Sequence, residues 1–217
     1  MNKKITTVMA VYNGEEYLAE AIESVLAQTH PSDEIIIIND GSTDGTLDIL
    51  NNYPELKVQT NANQGLWKSL NHGISMATGD YLTFIDSDDL WHKDKNKLQL
   101  QHMQNLNCDM SFCHLQNFAS VDGKIAYAEK QVGTVQLGLF IEKSKFMKVG
   151  YLGTSLVAEA MIWFQKARLM GLRECSLDDV LAYRRCHATN MTRGSTFNDG
   201  LVDVARELIR QRKLFNK

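Results

Sequence analysis

Two periods of apolar and polar positions alternate along the first hundred residues. Ile5 to Val11 is a β-rich run, and Glu34 to Asn39 contains four isoleucines in succession, Ile35 to Ile38. Continuous apolar runs of this length predict strands covered on both faces, as in a parallel sheet. Leu56 to Gln59 predicts a weaker strand and Tyr81 to Ile85 a clear one. Between the first two runs, Leu18, Ala21, Ile22, Val25 and Leu26 follow the i, i+3, i+4, i+7, i+8 spacing of one helix face. Asp44 to Leu50 and Leu66 to Ala77 predict further helices, the second with Leu66, Leu70 and Ile74 in one row and Gly79 as its stop. A strand–helix–strand–helix order implies an α/β fold with right-handed crossovers. Ligands of such sheets bind beyond the carboxyl ends of the strands.

After Asp89 the pattern loosens. Lys95 to Leu106 reads as a helix, with Lys93, Lys95 and Lys97 alternating with Asp94 and Asn96 as a solvated start. Gly133 to Phe146 mixes strand-like and polar residues. Ser155 to Met170 predicts a strong helix with Val157, Met161, Phe164 and Ala167 on one face, and Phe197 to Leu214 a terminal amphipathic helix. The 217 residues suit one domain with a full core. Only 2 prolines argue against a linker or disordered tail, and a net charge of −3 gives no nucleic-acid-binding surface. The start is too mixed for a signal peptide, and no run approaches ~20 apolar residues, so no membrane span is expected and a cytoplasmic location is the default. Cys108, Cys113, Cys175 and Cys186 lack the tight spacing of a zinc site and read as reduced, mostly buried thiols.

Three predicted strand ends carry polar sets. They read Ala10-Val11-Tyr12-Asn13-Gly14, then Asn39-Asp40-Gly41-Ser42-Thr43-Asp44-Gly45, then Asp86-Ser87-Asp88-Asp89. An aromatic ring such as Tyr12 can stack on a base, and Asp40 can accept a hydrogen bond from a base edge. Asp86 and Asp88, one residue apart, can reach a hard divalent cation that also binds phosphate oxygens. Each set has a plainer reading. Asn-Gly and Asp-Gly are turn dipeptides, Ser42 or Thr43 can cap a helix, and Asp-x-Asp occurs in many surface loops. Their joint placement at strand ends of one sheet favours a shared site.

The segments VMAVYNGEEYLAEAIESVL (8–26), IIIINDGSTDGTLDIL (35–50) and NQGLWKSLNHGISMATGDYLTFIDSDDLW (63–91) resemble the opening half of family 2 glycosyltransferases of GT-A fold. The likeness covers nearly all of residues 5–100. It continues more thinly at Glu159-Ala160 and at Tyr183-Arg184-Arg185-Cys186-His187, similar to the family's acidic helix motif and its late Tyr-Arg-x-His segment. The resemblance implies a single GT-A domain over 1–217, with a nucleotide-sugar-binding half (1–100) and an acceptor-side half with a terminal helix (101–217). It implies an inverting transfer from a UDP-sugar to an acceptor hydroxyl, in surface polysaccharide or glycoconjugate synthesis. The main chain at Ala10 and Val11 and the ring of Tyr12 would meet the nucleoside, and Asp40 the uracil. Asp88 would be the principal ligand of Mn²⁺ or Mg²⁺, with Asp86 on the metal or ribose and Ser87 beside it. Lys68 matches a basic position facing the diphosphate, or is a solvated lysine. His187 would meet the metal or diphosphate, or be an ordinary hydrogen-bonding residue. Arg184 and Arg185 suit phosphate oxygens or ion pairs. Asn39 replaces the usual first Asp of an Asp-Asp pair. The acceptor would be a glycan, a lipid-linked intermediate or a protein; a membrane-associated partner and a homo-oligomer both stay open.

The acidic pair on the helix reads Glu159-Ala160 where relatives carry Glu-Asp. Glu159 would then be the catalytic base, or an acidic residue in a first helical turn stabilised by the macrodipole. The second reading of the chain is therefore a nucleotide-sugar-binding module without turnover. A dinucleotide-binding dehydrogenase needs a GxGxxG turn after the first strand, where this chain has Tyr-Asn-Gly-Glu-Glu. A nucleotidyltransferase needs a glycine-rich basic loop there, and only Gly14 is present.

Overall fold

The apolar runs form the strands they predict. β1 (Ile5–Val11), β2 (Glu34–Asn39), β3 (Lys57–Thr60) and β4 (Tyr81–Phe84) lie in the order β3-β2-β1-β4, every pair parallel. The computed structural model describes residues 3–121, 124–133, 135–153 and 159–187; Val157 and the expected helix at Phe197 to Leu214 lie outside them. All seven residues of β1 are buried because both sheet faces are covered. Val8 and Ala10 point into the core shared with α3 (Leu66–Met76), while Met9 and Val11 point to the side of α1 (Leu18–Leu26) and α2 (Thr46–Leu50). The predicted face of α1 is the buried one, through Leu18, Ala21, Ile22 and Val25. Each large apolar side chain buried in this way stabilises the fold by about 1.5–3 kcal/mol. α3 ends at Met76, and Gly79 has a different task from the expected helix stop. Its N–H donates to Thr6 Oγ1 (3.0 Å), and a Cβ there would meet Thr6 Oγ1 at 2.6 Å.

The second half adds antiparallel pairings. β8 (Phe140–Glu142) runs antiparallel between β4 and β6 (Met110–Val121), and β6 pairs parallel with β9 (Glu174–Arg185). β5 (Leu90–Trp91) closes the far edge against β9, and β7 (Lys124–Val132) continues along β6 past β8. α5 (Lys143–Val149) and α6 (Glu159–Leu169) cover the α3 side. On α6 the buried row is Ala160, Trp163, Phe164 and Ala167, and Met161 is 45% exposed. Phe164 and Ala167 thus face the core as expected, and Ala160 and Trp163 complete the row in place of Met161, with Trp163 stacked on Phe146.

α4 (Lys95–Leu106) overturns the reading of a solvated start. Its first turns bury polar residues, Lys95, Asn96 and Gln99, ahead of the apolar Leu100 and Met103. Lys95 is 0% exposed, with Nζ donating to Thr83 Oγ1 (2.8 Å) and lying 4.2 Å from the centre of the Trp91 ring. Gln99 donates to Gly138 O (2.8 Å) and Asn96 N–H to Gln28 Oε1 (3.0 Å). Hydrogen bonds to side chains and main chain distant in sequence let these polar residues be buried. Burial lowers the Lys95 ammonium to about 8 from 10.5, opposed by the neighbouring Cys113.

A second correction concerns the thiols: Cys108 and Cys175 form a disulfide, and Cys113 and Cys186 are free. The starts of β6 and β9 are also tied by Asp109. Its Oδ1 meets Lys145 Nζ (2.9 Å) and Arg173 Nη2 (3.3 Å), and its Oδ2 accepts the Arg173 main-chain N–H (2.9 Å). Burial pushes this carboxyl up, but the bonds from Lys145 and Arg173 outweigh it and hold it down to about 2.

Two stability predictions follow from these groups. The Asp109 carboxyl is lowered from 3.8 to about 2, so its contribution is complete above pH 4 and is lost as pH falls through 2. Asp109→Asn should cost about 2 kcal/mol in urea unfolding at pH 7, and the gap from wild type should close towards pH 2. For Lys95 the sign reverses. Between pH 8 and 10.5 the unfolded chain holds the proton that the folded chain has released, so stability rises with pH across that window. Lys95→Met should gain about 1–3 kcal/mol at pH 7 and lose that rise, measured as the difference between the two pH profiles.

Candidate active site

The turns after β1 and β2 are stitched to each other by side chains. Asn13 takes a left-handed conformation (φ 51°), and its Oδ1 accepts the Thr43 N–H (2.8 Å). In return Ser42 Oγ accepts the Asn13 N–H (2.9 Å), and Thr46 Oγ1 the Gly14 N–H (2.8 Å). Glu15 Oε2 accepts the Gly45 N–H (2.7 Å), and Asp44 Oδ2 the Glu15 N–H (3.1 Å). Ser42 is therefore a strut for the first turn. Asn39, in the first place of the usual acidic pair, accepts the Ser42 N–H through Oδ1 (3.0 Å).

Ala10 and Val11 are buried, and the Val11 carbonyl accepts the Asp40 N–H (2.8 Å). Tyr12 stands out of the turn at 51% exposure, its ring open to a ligand. Asp40 is 3% exposed, and its two oxygens accept the N–H groups of Gln64 (3.0 Å) and Gly65 (2.8 Å). It thereby fixes the entry to α3, where Gly65 has φ 93°. Each carboxylate oxygen keeps a second lone pair.

The third set follows β4. A Cβ on Gly14 would lie 3.6 Å from Ser87 Oγ, so the first and third turns touch. Parallel neighbours β2, β1 and β4 thus bring Tyr12, Asp40 and Asp86 to Asp88 to one edge of the sheet. Gln136 donates to Asp86 Oδ1 (2.9 Å), and His187 Nε2 lies 2.9 Å from Asp88 Oδ2. Asp89 is buried and accepts the Arg185 main-chain N–H through Oδ1 (2.8 Å). Burial and then the Asp88 charge raise the Asp86 carboxyl to about 6, against the Gln136 bond. Burial and the charges of Asp86 and Asp88 raise Asp89 well above the usual carboxylate range. Three carboxylates in four residues repel one another, and a bound cation would relieve that repulsion. Among the described residues no three acidic, His or Cys side chains close on one point. A hard cation here would fit as one held by the Asp88 carboxylate and the His187 imidazole, with phosphate oxygens and water completing its shell.

Arg185 is 7% exposed and turned into the protein, where Nε donates to Asp88 O (2.9 Å) and Nη2 to Glu20 Oε2 (2.8 Å). Lys68 is exposed and lines a groove of ≈ 420 Å³ on the outward face of α3 with Gln64, Asn71, His72, Ser75 and Tyr151. Glu159 opens α6 at 5% exposure, and a side chain on Gly153 would overlap its carboxylate. Gly153 follows Leu152, whose N–H and C=O both bond the Asn71 side chain (3.0 and 2.7 Å). Ala160 points into the core.

Sequence reasoning did not single out Tyr17, Glu20, Gln136 or Asn71. Their partners are 50 or more residues away for Gln136, 81 for Asn71 and 165 for Glu20, and no local pattern marks such pairs. For Tyr17 the only sign was an aromatic residue just before an amphipathic helix.

Residues 6–177 match the model of "Glycosyl transferase family 2". The chain is 39% identical over 113 residues to the putative teichuronic acid biosynthesis glycosyltransferase TuaG of Bacillus subtilis (strain 168), covering 50% of this chain and 45% of that protein. It is 32% identical over 132 residues to glycosyltransferase GlyG of Streptococcus pneumoniae serotype 4, covering 58% and 44%. The chain thus spans less than half the length of these two relatives. S. aureus TarS 1-349 in complex with UDP-GlcNAc shares the fold at TM-score 0.76 and 22% identity, over 94% of this chain and 66% of that one. Mannosyltransferase PcManGT from Pyrobaculum calidifontis, in complex with GDP-Man and Mn²⁺, aligns at TM-score 0.70 and 18% identity over 100% and 65%. The fold is GT-A, and the chain belongs to glycosyl transferase family 2.

Proposed function

We propose that the protein is a metal-dependent, inverting glycosyltransferase that moves a sugar from a UDP-sugar to an acceptor hydroxyl in surface polysaccharide or glycoconjugate synthesis. The observation that carries this reading is the Asp88–His187 pair, set 2.9 Å apart beside the crowded Asp86 and on the same sheet edge as Tyr12 and Asp40. The relative named for teichuronic acid biosynthesis and the TarS complex with UDP-GlcNAc support the donor and product class. The PcManGT complex with Mn²⁺ supports a divalent cation.

In this reading Tyr12 stacks on the base, and Asp40 offers its remaining lone pairs to the base edge while holding the Gln64–Gly65 turn. Ala10 and Val11 wall the nucleoside, and Ser87 sits between the two acidic residues. Asp88 and His187, with Asp86 alongside, hold Mn²⁺ or Mg²⁺. When bound, the cation supplies positive charge to the departing diphosphate. Glu159 takes the proton of the acceptor hydroxyl as that oxygen attacks the anomeric carbon from the face opposite the diphosphate. Lys68, exposed on α3, serves the diphosphate, and the second half of the chain serves the acceptor side, where a glycan, lipid-linked or protein acceptor docks. Among the described residues no helix is long and apolar enough to cross a membrane.

One observation favours a second reading, a donor-binding module without turnover: Ala160 lies in the core where relatives carry a carboxylate. UDP release from a panel of UDP-sugars with Mn²⁺ and acceptor extracts separates the two. Turnover in wild type that drops about 10²–10⁴-fold in Glu159→Gln, with Mn²⁺–UDP binding and Tm kept, supports the enzyme with Glu159 as base. UDP binding with no turnover in wild type, and none in Ala160→Asp when that variant still folds, supports the module. Failure of wild type to bind UDP with or without Mn²⁺ would sink both.

A further inference from the structure

Arg185 matches a position where an arginine facing phosphate is expected, yet its guanidinium is committed inside the protein. The flat cation lies between two rings, 4.4 Å from the centre of Tyr17 and 4.7 Å from that of Phe118. One edge donates to the main-chain carbonyl of Asp88 and another to the Glu20 carboxylate. The main-chain N–H of the same residue holds Asp89. Two residues on, the His187 ring lies 4.9 Å from the Tyr17 ring, centre to centre, and meets the Asp88 carboxylate. Asp88 is therefore gripped twice by one short segment, at its carbonyl by Arg185 and at its carboxylate by His187, and Tyr17 packs against both gripping side chains.

We propose that Arg185 is a positioning residue for the cation-binding loop, setting Asp88 and His187 through its contacts with Tyr17 and Glu20, and that it is not a diphosphate ligand. The inference rests on the reading of Asp88 and His187 as cation ligands. Three physical points carry it. With 7% exposure, the guanidinium can reach a phosphate only by leaving Tyr17 or Glu20. Glu20 already balances its charge, so little is left to offer an incoming anion. And the task needs a planar fork that donates along its edges while both faces lie against aromatic rings, which an ammonium cannot do.

The test measures Mn²⁺ affinity by the paramagnetic resonance of free Mn²⁺, UDP affinity in excess EDTA, and Tm. Arg185→Lys should weaken Mn²⁺ binding about 10–100-fold, the range for loss of an outer partner of a metal ligand. UDP affinity in EDTA should stay within about twofold of wild type, since no phosphate contact is lost. Tyr17→Leu should follow Arg185→Lys, while Tyr17→Phe, which keeps the ring, should match wild type. Should Arg185→Lys fail to fold, Glu20→Gln removes only the half-exposed anchor and should still weaken Mn²⁺ binding with UDP affinity in EDTA unmoved. Loss of UDP affinity in EDTA as large as the loss of Mn²⁺ affinity would make Arg185 a phosphate ligand and overturn the proposal. So would unchanged Mn²⁺ affinity in a folded Arg185→Lys. Wild type that binds UDP but no Mn²⁺ would overturn the cation reading as well, which sets that failure apart from one confined to Arg185.

Discussion

A turn between a parallel strand and its crossover helix has main-chain amides that neither the sheet nor the helix satisfies, and here the neighbouring turn supplies their acceptors. Asn13, Ser42, Asp44, Glu15 and Thr46 each accept a main-chain N–H of the opposite segment. The exchange is reciprocal, so neither turn can move without breaking bonds made by the other. Everything further out depends on it. Tyr12 is presented outward because Asn13 is held in a left-handed conformation behind it, and Asp40 starts from the carbonyl of Val11. Much of what looks like binding chemistry in these motifs is therefore scaffolding. Asp40 itself does both jobs: it secures α3 and keeps lone pairs for a ligand.

The Asp86-Ser87-Asp88-Asp89 turn poses the opposite problem, an excess of acceptors. Burial first, and then the neighbouring like charges, raise the Asp86 and Asp89 carboxyls. The donors that hold the cluster come from late in the chain: Gln136 for Asp86, His187 for Asp88 and the Arg185 main chain for Asp89. The antiparallel second half is thus more than an acceptor platform. β9 runs beside β6 and delivers Arg185 and His187 to the end of β4, so the cluster is assembled only when the whole sheet has formed.

What could be read from the sequence follows from this division. β1, β2 and α1 were legible because burial on both faces of a strand, or on one face of a helix, leaves a short-range period. The motifs at the strand ends were legible because turns demand particular residue types. The extent of α4 was legible but the burial of its start was not, since burying Lys95, Asn96 and Gln99 depends on partners such as Thr83, Gln28 and Gly138 that no local period reveals. Phe164 and Ala167 of α6 were read correctly, and Met161 was not, for a related reason. Met161 and Trp163 are both apolar, and only the stack of Trp163 on Phe146 decides which of them turns inward. Arg185 carried the right residue type for phosphate, but its direction is set by Tyr17 and Phe118, far away in sequence.

The same geometry bears on the missing acid of the Glu-Asp pair. Ala160, Trp163, Phe164 and Ala167 recur at i, i+3, i+4 and i+7, so position 160 faces the core by the rotation of the helix alone. A carboxylate there would have to bury its charge among these rings or tilt the helix start to escape them, at a cost of several kcal/mol for an unpaired ion. Glu159 is one helical step, about 100°, away from that row and carries one more methylene. It packs its carboxylate on Gly153, a residue with no side chain to occupy that space, and Gly153 is reached from Leu152, whose main chain Asn71 of α3 holds. The space beside Gly153 is thus taken by the acid at 159, while position 160 faces the core.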